Sequence, residues 1–139
     1  MSKKDKAHLL YLRGKTLHFL PDYTKQAEEF LSKACKLMPT KKEAWDALGH
    51  VYWKKNDLLA SRKCFEGSLE QDENNRDALR SLSQVCRQIQ EADEKKRREN
   101  FLLSIQLAEK AVSQDMKDSQ SWCKSMQGDS SLCSFRCAG

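Results

Sequence analysis

Small and apolar residues recur along this chain three and four positions apart, with polar residues between them, the spacing of amphipathic helices. Ala27, Leu31 and Ala34 show the order small-x3-apolar-x2-small; Ser61, Phe65 and Ser68 repeat it, and Ser104, Ala108 and Ala111 repeat it again. Eleven positions after the last small residue comes a large apolar one each time: Ala34 to Trp45, Ser68 to Leu79, Ala111 to Trp122. The recurrence predicts an all-α chain of stacked helix pairs, each unable to bury its apolar face alone.

The most complete unit lies at residues 42–75. Trp45, Leu48, Gly49 and Tyr52 form W-x2-L-G-x2-Y, and Phe65 and Ser68 follow. This spacing resembles a tetratricopeptide repeat. Trp45, Leu48 and Tyr52 share one face of a first helix. Gly49 removes a side chain where a second helix crosses closely, and Phe65 and Ser68 form that helix's seam. Pro39 stands where the preceding second helix should end, because proline cannot continue it. The predicted fold is a tetratricopeptide-type solenoid of about three antiparallel helix pairs.

The array is expected over residues 1–122, with repeats at about 7–41, 42–75 and 76–118 and a fourth starting at 119–122. In the first repeat Asp22 is the expected N-cap of the second helix. Thr40 to Glu43 reads as a capping box opening the second repeat, and Asn56-Asp57 as its internal turn. Leu79 to Trp122 spans 43 residues where Trp45 to Leu79 spans 34. The surplus falls around 91–100, either as a polar loop or as extra turns of helix. Glu91/Lys95 and Glu94/Arg98 favour the helix. Trp122 takes the Trp position of a fourth repeat, but Ser125 and Met126 replace the Leu and Gly that should follow. Residues 123–139, rich in Ser, Gly and Cys, read as a disordered tail. The third pair is then expected to expose parts of Phe101, Leu102, Ile105 or Val112, or to borrow Trp122 as a partial lid, and an exposed patch there would favour self-association.

Composition adds limits. The 139 residues are 32% charged and 39% apolar, with two prolines and five glycines. No apolar run reaches the roughly 18 residues of a membrane span, and no apolar stretch follows the basic start, so a secretory signal is not expected. The net charge of +5 is scattered. The dense basic run Lys95–Arg98 is flanked by Asp93, Glu94 and Glu99, so nucleic acid is an unfavoured partner. None of the six cysteines forms C-x-x-C and no His stands at zinc-finger spacing, so no metal or other cofactor is expected.

Several segments exceed what the repeat demands. Pro21-Asp22-Tyr23, Ala27-Glu28-Glu29, Leu31-Ser32-Lys33-Ala34, Val51-Tyr52-Trp53-Lys54-Lys55 and Leu82 to Arg87-Gln88 resemble the early repeats of the tetratricopeptide repeat protein 5 family. The similarity covers about residues 7 to 122. Members of that family continue with further repeats and a C-terminal OB-fold, so the chain resembles a C-terminally shortened form. The resemblance implies a scaffold for stress-responsive transcriptional co-activation and for reading nascent tubulin at the ribosome, in cytoplasm and nucleus. It leaves open a shortened product that no longer binds the family's partners.

First helices of such arrays line a concave groove suited to an extended peptide. The groove positions are His8, Tyr11, Lys15 and His18 in repeat one, Glu43, Asp46, His50 and Trp53 in repeat two, and Asp77, Arg80, Gln84 and Arg87 in repeat three. Arg87 and Arg80 are expected to contact an acidic group of the peptide, and Asp46 a basic one. A carboxylate clamp of the chaperone-binding kind is not expected: of its matching positions Tyr11, Lys15, Ala47, Asp77 and Ser81, only the lysine fits, and Asp77 would repel a carboxylate. No residue stands at a fixed near spacing to orient any of the three histidines as a base, and there is no Gly-rich phosphate loop. A non-catalytic adaptor is expected.

Overall fold

A computed structural model describes the backbone of residues 1–125 and side chains through Lys117. Among the described residues there are six helices and no strand: α1 (Lys3–His18), α2 (Lys25–Leu37), α3 (Lys42–Lys54), α4 (Leu58–Gln71), α5 (Arg76–Gln88) and α6 (Glu94–Ser125). Each odd helix packs along the next even one, and α2 on α3 and α4 on α5 join the pairs into one array. α1 also touches α3, and α3 touches α5, so the first helices share one surface.

The pairs close where side chains are smallest. A Cβ built on Gly14 would lie 2.5 Å from Leu31 Cγ, and one on Gly49 would lie 2.8 Å from the Phe65 ring. Both partners are fully buried. Ser61, also fully buried, donates its hydroxyl to the Gly49 carbonyl at 2.8 Å. In the third pair the bond runs the other way: Ser83, at the Gly49 position of α5, donates to the carbonyl of Ser104, the counterpart of Ser61, at 2.8 Å. Serines at these crossings thus permit close approach and also satisfy backbone oxygens that the approach would strand.

The buried apolar residues gather in two clusters. The first gathers Tyr11, Leu31, Cys35, Leu48, Val51 and Cys64, with Trp45 and Tyr52 half-buried at its edge. The second gathers Phe65, Leu82, Val85, Cys86 and Ile89. Cys64 and Phe65, adjacent on α4, face one cluster each.

Helix boundaries differ from the expected ones in three places. α2 is capped by Thr24 rather than Asp22, and Lys41 rather than Thr40 occupies the N-cap of α3; neither makes a side-chain cap. The capping box lies instead at Ser2 and Asp5. The surplus of repeat three divides: a short connection to Asp93, then added turns at the start of α6, where Arg98 donates to Glu94 at 2.5 Å. α6 then runs unbroken through Ser125, so no turn separates residues 119–122 from repeat three. There is neither Gly nor Pro between Gly67 and Gly128 to end it. Trp122 and Cys123 therefore lie on α6, with their side chains outside the described residues. The expected tail from 126 onward also lies outside them.

The third pair shows the exposure read from sequence. Phe101 (56%), Leu102, Ile105 and Val112 (57%) are all exposed, and so is Met116. Ala108 is exposed as well, although Leu31 and Phe65 at its register are covered by the helix pair that follows.

Candidate functional site

The surface shared by α1, α3 and α5 carries an aromatic strip. His18 stacks on His50 with ring centroids 5.7 Å apart, and His50 stacks on Trp53 at 6.0 Å and 10° between planes. Trp53 Nε1 donates to Gln88 Oε1 at 2.8 Å. Three helix pairs are thus tied across one face. Phe65 supports the strip from beneath, edge-on to His50 at 5.1 Å and to Trp53 at 6.4 Å.

Burial sets the charge state of this strip. It pushes His18 down to about 4, helped by the Lys54 ammonium and by His50. It also lowers His50, outweighing the nearby Asp46 and Asp77 carboxylates. Both rings are neutral at neutral pH, where they present hydrogen-bonding apolar surface rather than charge.

The expected groove residues divide into three groups. Arg87, Gln84 and Lys15 are exposed, and none makes an ion pair among the described residues. Arg87 stands at the edge of the surface, beside Ser83 and over the cleft between α5 and α6. Arg80 is engaged by Asp115 of α6 at 3.5 Å, and Arg76 reaches the same carboxylate at 2.6 Å. Arg80 therefore holds α6 in place as well as facing outward.

Tyr11 and Asp46 depart from expectation. Tyr11 is 7% exposed and belongs to the first core cluster, because its ring lies beneath Lys41, whose Nζ sits 4.1 Å from the centroid. Asp46 is half-buried and accepts from Asn75 Nδ2 at 2.8 Å; the same amide donates to Ser68 Oγ at 2.9 Å. Burial raises the Asp46 pKa despite those hydrogen bonds. Oδ2 thus latches repeat two to the start of α5, while Oδ1 is buried without a hydrogen-bond partner among the described residues. Only the folded chain reveals the latch, since Asn75 carries no periodic signal.

The segments that exceed the repeat pattern converge. Tyr23 donates to Glu28, and Lys55 pairs with the same Glu28 at 3.2 Å while lying over the Tyr23 and Tyr52 rings. Lys54 donates to the Leu20 carbonyl at 2.8 Å and to that of His18, closing the end of α1. In Tyr52-Trp53-Lys54-Lys55, then, Lys54 and Lys55 reach back to repeat one and Trp53 reaches forward to repeat three. These side chains set the angle between repeats and hence the groove's shape. Among the described residues no cluster of His, Cys, Asp or Glu could hold a metal ion, and no helix is long and apolar enough to cross a membrane.

Antiparallel helix pairs closed at Gly14–Leu31 and Gly49–Phe65, stacked so that first helices share one face, define a tetratricopeptide-repeat protein. The tetratricopeptide repeat family model matches residues 42–75, the unit carrying Trp45, Leu48, Gly49, Tyr52 and Phe65. The solved structure of MamA shares the fold, with a TM-score of 0.69 and 17% identity over 84% of this chain and 63% of that one. Within this class the resemblance to the tetratricopeptide repeat protein 5 family is borne out. Over 121 residues, 87% of this chain, identity is 44% to the human protein of that name, 42% to that of Bos taurus and 41% to that of Mus musculus. The chain spans only 27% of the length of each of these relatives. The repeats mark a protein-interaction module.

Proposed function

We propose that the chain is a non-catalytic adaptor that holds an extended peptide segment across the face of α1, α3 and α5. The observation that supports this reading best is the strip His18–His50–Trp53, continued by Gln88, running across three first helices. An extended peptide lays an apolar side chain on Trp53 and exchanges backbone hydrogen bonds with Gln84 and Gln88. Arg87 meets an acidic group at the downstream edge, where it has no carboxylate of its own among the described residues. The family resemblance adds the settings: transcriptional co-activators and nascent tubulin at the ribosome as partners, in nucleus and cytoplasm.

Fluorescence anisotropy against a library of extended peptides, with Trp53→Ala and Arg87→Ala side by side, tests the reading. The expected outcome is that Trp53→Ala lowers affinity for all bound peptides, whereas Arg87→Ala does so only for those with an acidic residue. Binding that survives both substitutions overturns it, as does a library with no binder. Preference for nucleic acid with a steep salt dependence would move the activity to Lys95–Arg98 instead.

A further inference from the structure

The outer face of α1 carries Leu9 and Leu12, 38% and 44% exposed, with Thr16 one turn beyond. In the register set by Gly14, Gly49 and Ser83, these positions correspond to Ala44, Ala47 and Val51 of α3 and to Ala78, Ser81 and Val85 of α5. All six are buried. Ala44, Ala47 and Val51 share a core cluster with Leu31, Ala34 and Cys35 of the preceding pair, and Ala78 and Val85 share one with Phe65 of theirs. One docking face therefore occurs three times in the array. Among the described residues it is uncovered only on α1.

The opposite end supplies the complementary half. α5 and α6 leave a cleft of about 530 Å³ walled by Phe101, Ile105, Ala108, Val112 and Met116, with Glu109 on its rim. By register this is the surface that α3 covers on the first pair and that α5 covers on the second. We propose that a second copy of the chain fills it. The α1 helix of one copy seats on α5 and α6 of another, continuing between molecules the interface that joins pairs within one.

Lys6 and Arg13 flank Leu9 on the same face of α1, three before and four after, and the receiving cleft carries Glu109 as a counter-charge beside one like charge, Arg87; register and apolar surface therefore favour this occupant more than charge does. The contact is head-to-tail, with different surfaces on the two copies. Each added copy presents a fresh cleft, so the assembly grows open-ended rather than closing as a dimer. The strip His18–His50–Trp53 on the face of α1, α3 and α5 stays free, and only its edge at Arg87 borders the contact. Stacking would align peptide grooves and raise avidity for a partner with repeated segments, although the self-contact stands whether or not the groove binds peptide.

The test uses the full chain with Leu12→Lys and Ile105→Lys, one lesion on each half. Both sites are exposed, and unchanged helicity and melting midpoints confirm that the variants fold. In sedimentation velocity the wild type should grow past dimer as concentration rises to millimolar, and each variant alone should stay monomeric. Mixing the variants should give a 1:1 heterodimer that grows no further, because one intact head meets one intact tail. Three results overturn the proposal: a wild type monomeric at millimolar concentration, a Leu12→Lys variant that associates like wild type, or a mixture that stays monomeric. The second would place the contact between two C-terminal faces, and the first would fit a face covered by residues 126–139 of the same chain.

Discussion

Gly49 and Phe65 occupy space that only one of them can fill: a Cβ on Gly49 would lie 2.8 Å from two atoms of the Phe65 ring. Phe65 is fully buried and edge-on to both His50 and Trp53, so it has nowhere to retreat without disturbing the aromatic strip.

Gly49→Ala should therefore destabilise the chain by about 1–3 kcal/mol, the usual cost of overpacking a well-filled core, even though alanine is the better helix former by about 1 kcal/mol. Gly67→Ala is the control. Its Cβ would meet Trp45 Cε3 at 3.2 Å, and Trp45 is half-buried with room to yield. Urea unfolding should place Gly67→Ala within about 1 kcal/mol of wild type, as the helix-propensity gain offsets the tighter contact. Equal losses at both glycines would contradict the close-crossing account.

Acid should weaken the fold before it titrates most carboxylates. A histidine whose folded pKa lies below its unfolded value binds protons more readily when unfolded, so its contribution is full above the unfolded pKa and falls as pH drops. For His18 that window runs from the ordinary value of 6.5 down to about 4. His50 shifts the same way through burial. Asp46, raised by burial, works in the opposite sense as pH falls toward the carboxylate range. Melting midpoints should decline between pH 7 and pH 5, and His18→Asn should flatten that decline. A flat wild-type profile would show that the strip opens to solvent.

Asp46 and Arg87 should separate stability from binding. Asp46→Ala leaves the Asn75 amide without its 2.8 Å acceptor and should cost about 1 kcal/mol or more, as a stranded buried donor does. Arg87→Ala removes an exposed side chain with no ion pair among the described residues and should stay within about 0.5 kcal/mol, with its effect confined to peptide affinity. Paired thermal melts and titrations read both quantities. The reverse pattern would exchange their roles.

Much of this architecture was legible because buried positions in a stacked array repeat. Gly49, Ser61, Phe65 and Ser68 stand at the seam for a reason that recurs every 34 residues or so, so the periodicity points to them. Caps are less legible. Thr40 and Asp22 have the right chemistry, but a cap needs a backbone direction that the neighbouring helix imposes, and the working N-cap bonds fall at Ser2 and Asp57. The groove was readable in position but not in state. The 3-4-3 spacing puts Tyr11 and Asp46 on the concave face, yet Lys41 and Asn75, from other elements, decide that one lies in the core and the other in a latch. Trp122 misleads differently: its spacing marks a repeat start, but without Gly or Pro nearby the helix has no cause to stop.

Cys35 and Cys64 offer a direct reading of how the array opens. Both are buried where α2, α3 and α4 meet, beside a cleft of about 430 Å³ that Trp45 and Tyr52 also line, and burial pushes each thiol up to about 12. Only the thiolate reacts with an alkylating reagent, so neither should label in the folded chain at pH 8. Cys86 is also raised by burial, but it lies in α5, within the C-terminal pair, whose α6 exposes Phe101, Leu102 and Val112; Cys35, in the first pair, sits on the side of α2 that α3 covers. Arrays of this kind open from unsupported ends, since each pair is held by its neighbours. Among the three cysteines with described side chains, iodoacetamide labelling read residue by residue in a mass spectrometer should therefore modify Cys86 before Cys35 and Cys64, which follow only as urea unfolds the chain. If Cys64 labels as fast as Cys86, α4 is opening independently of the end, and the stacking of α4 on α5 is weaker than its buried contacts imply.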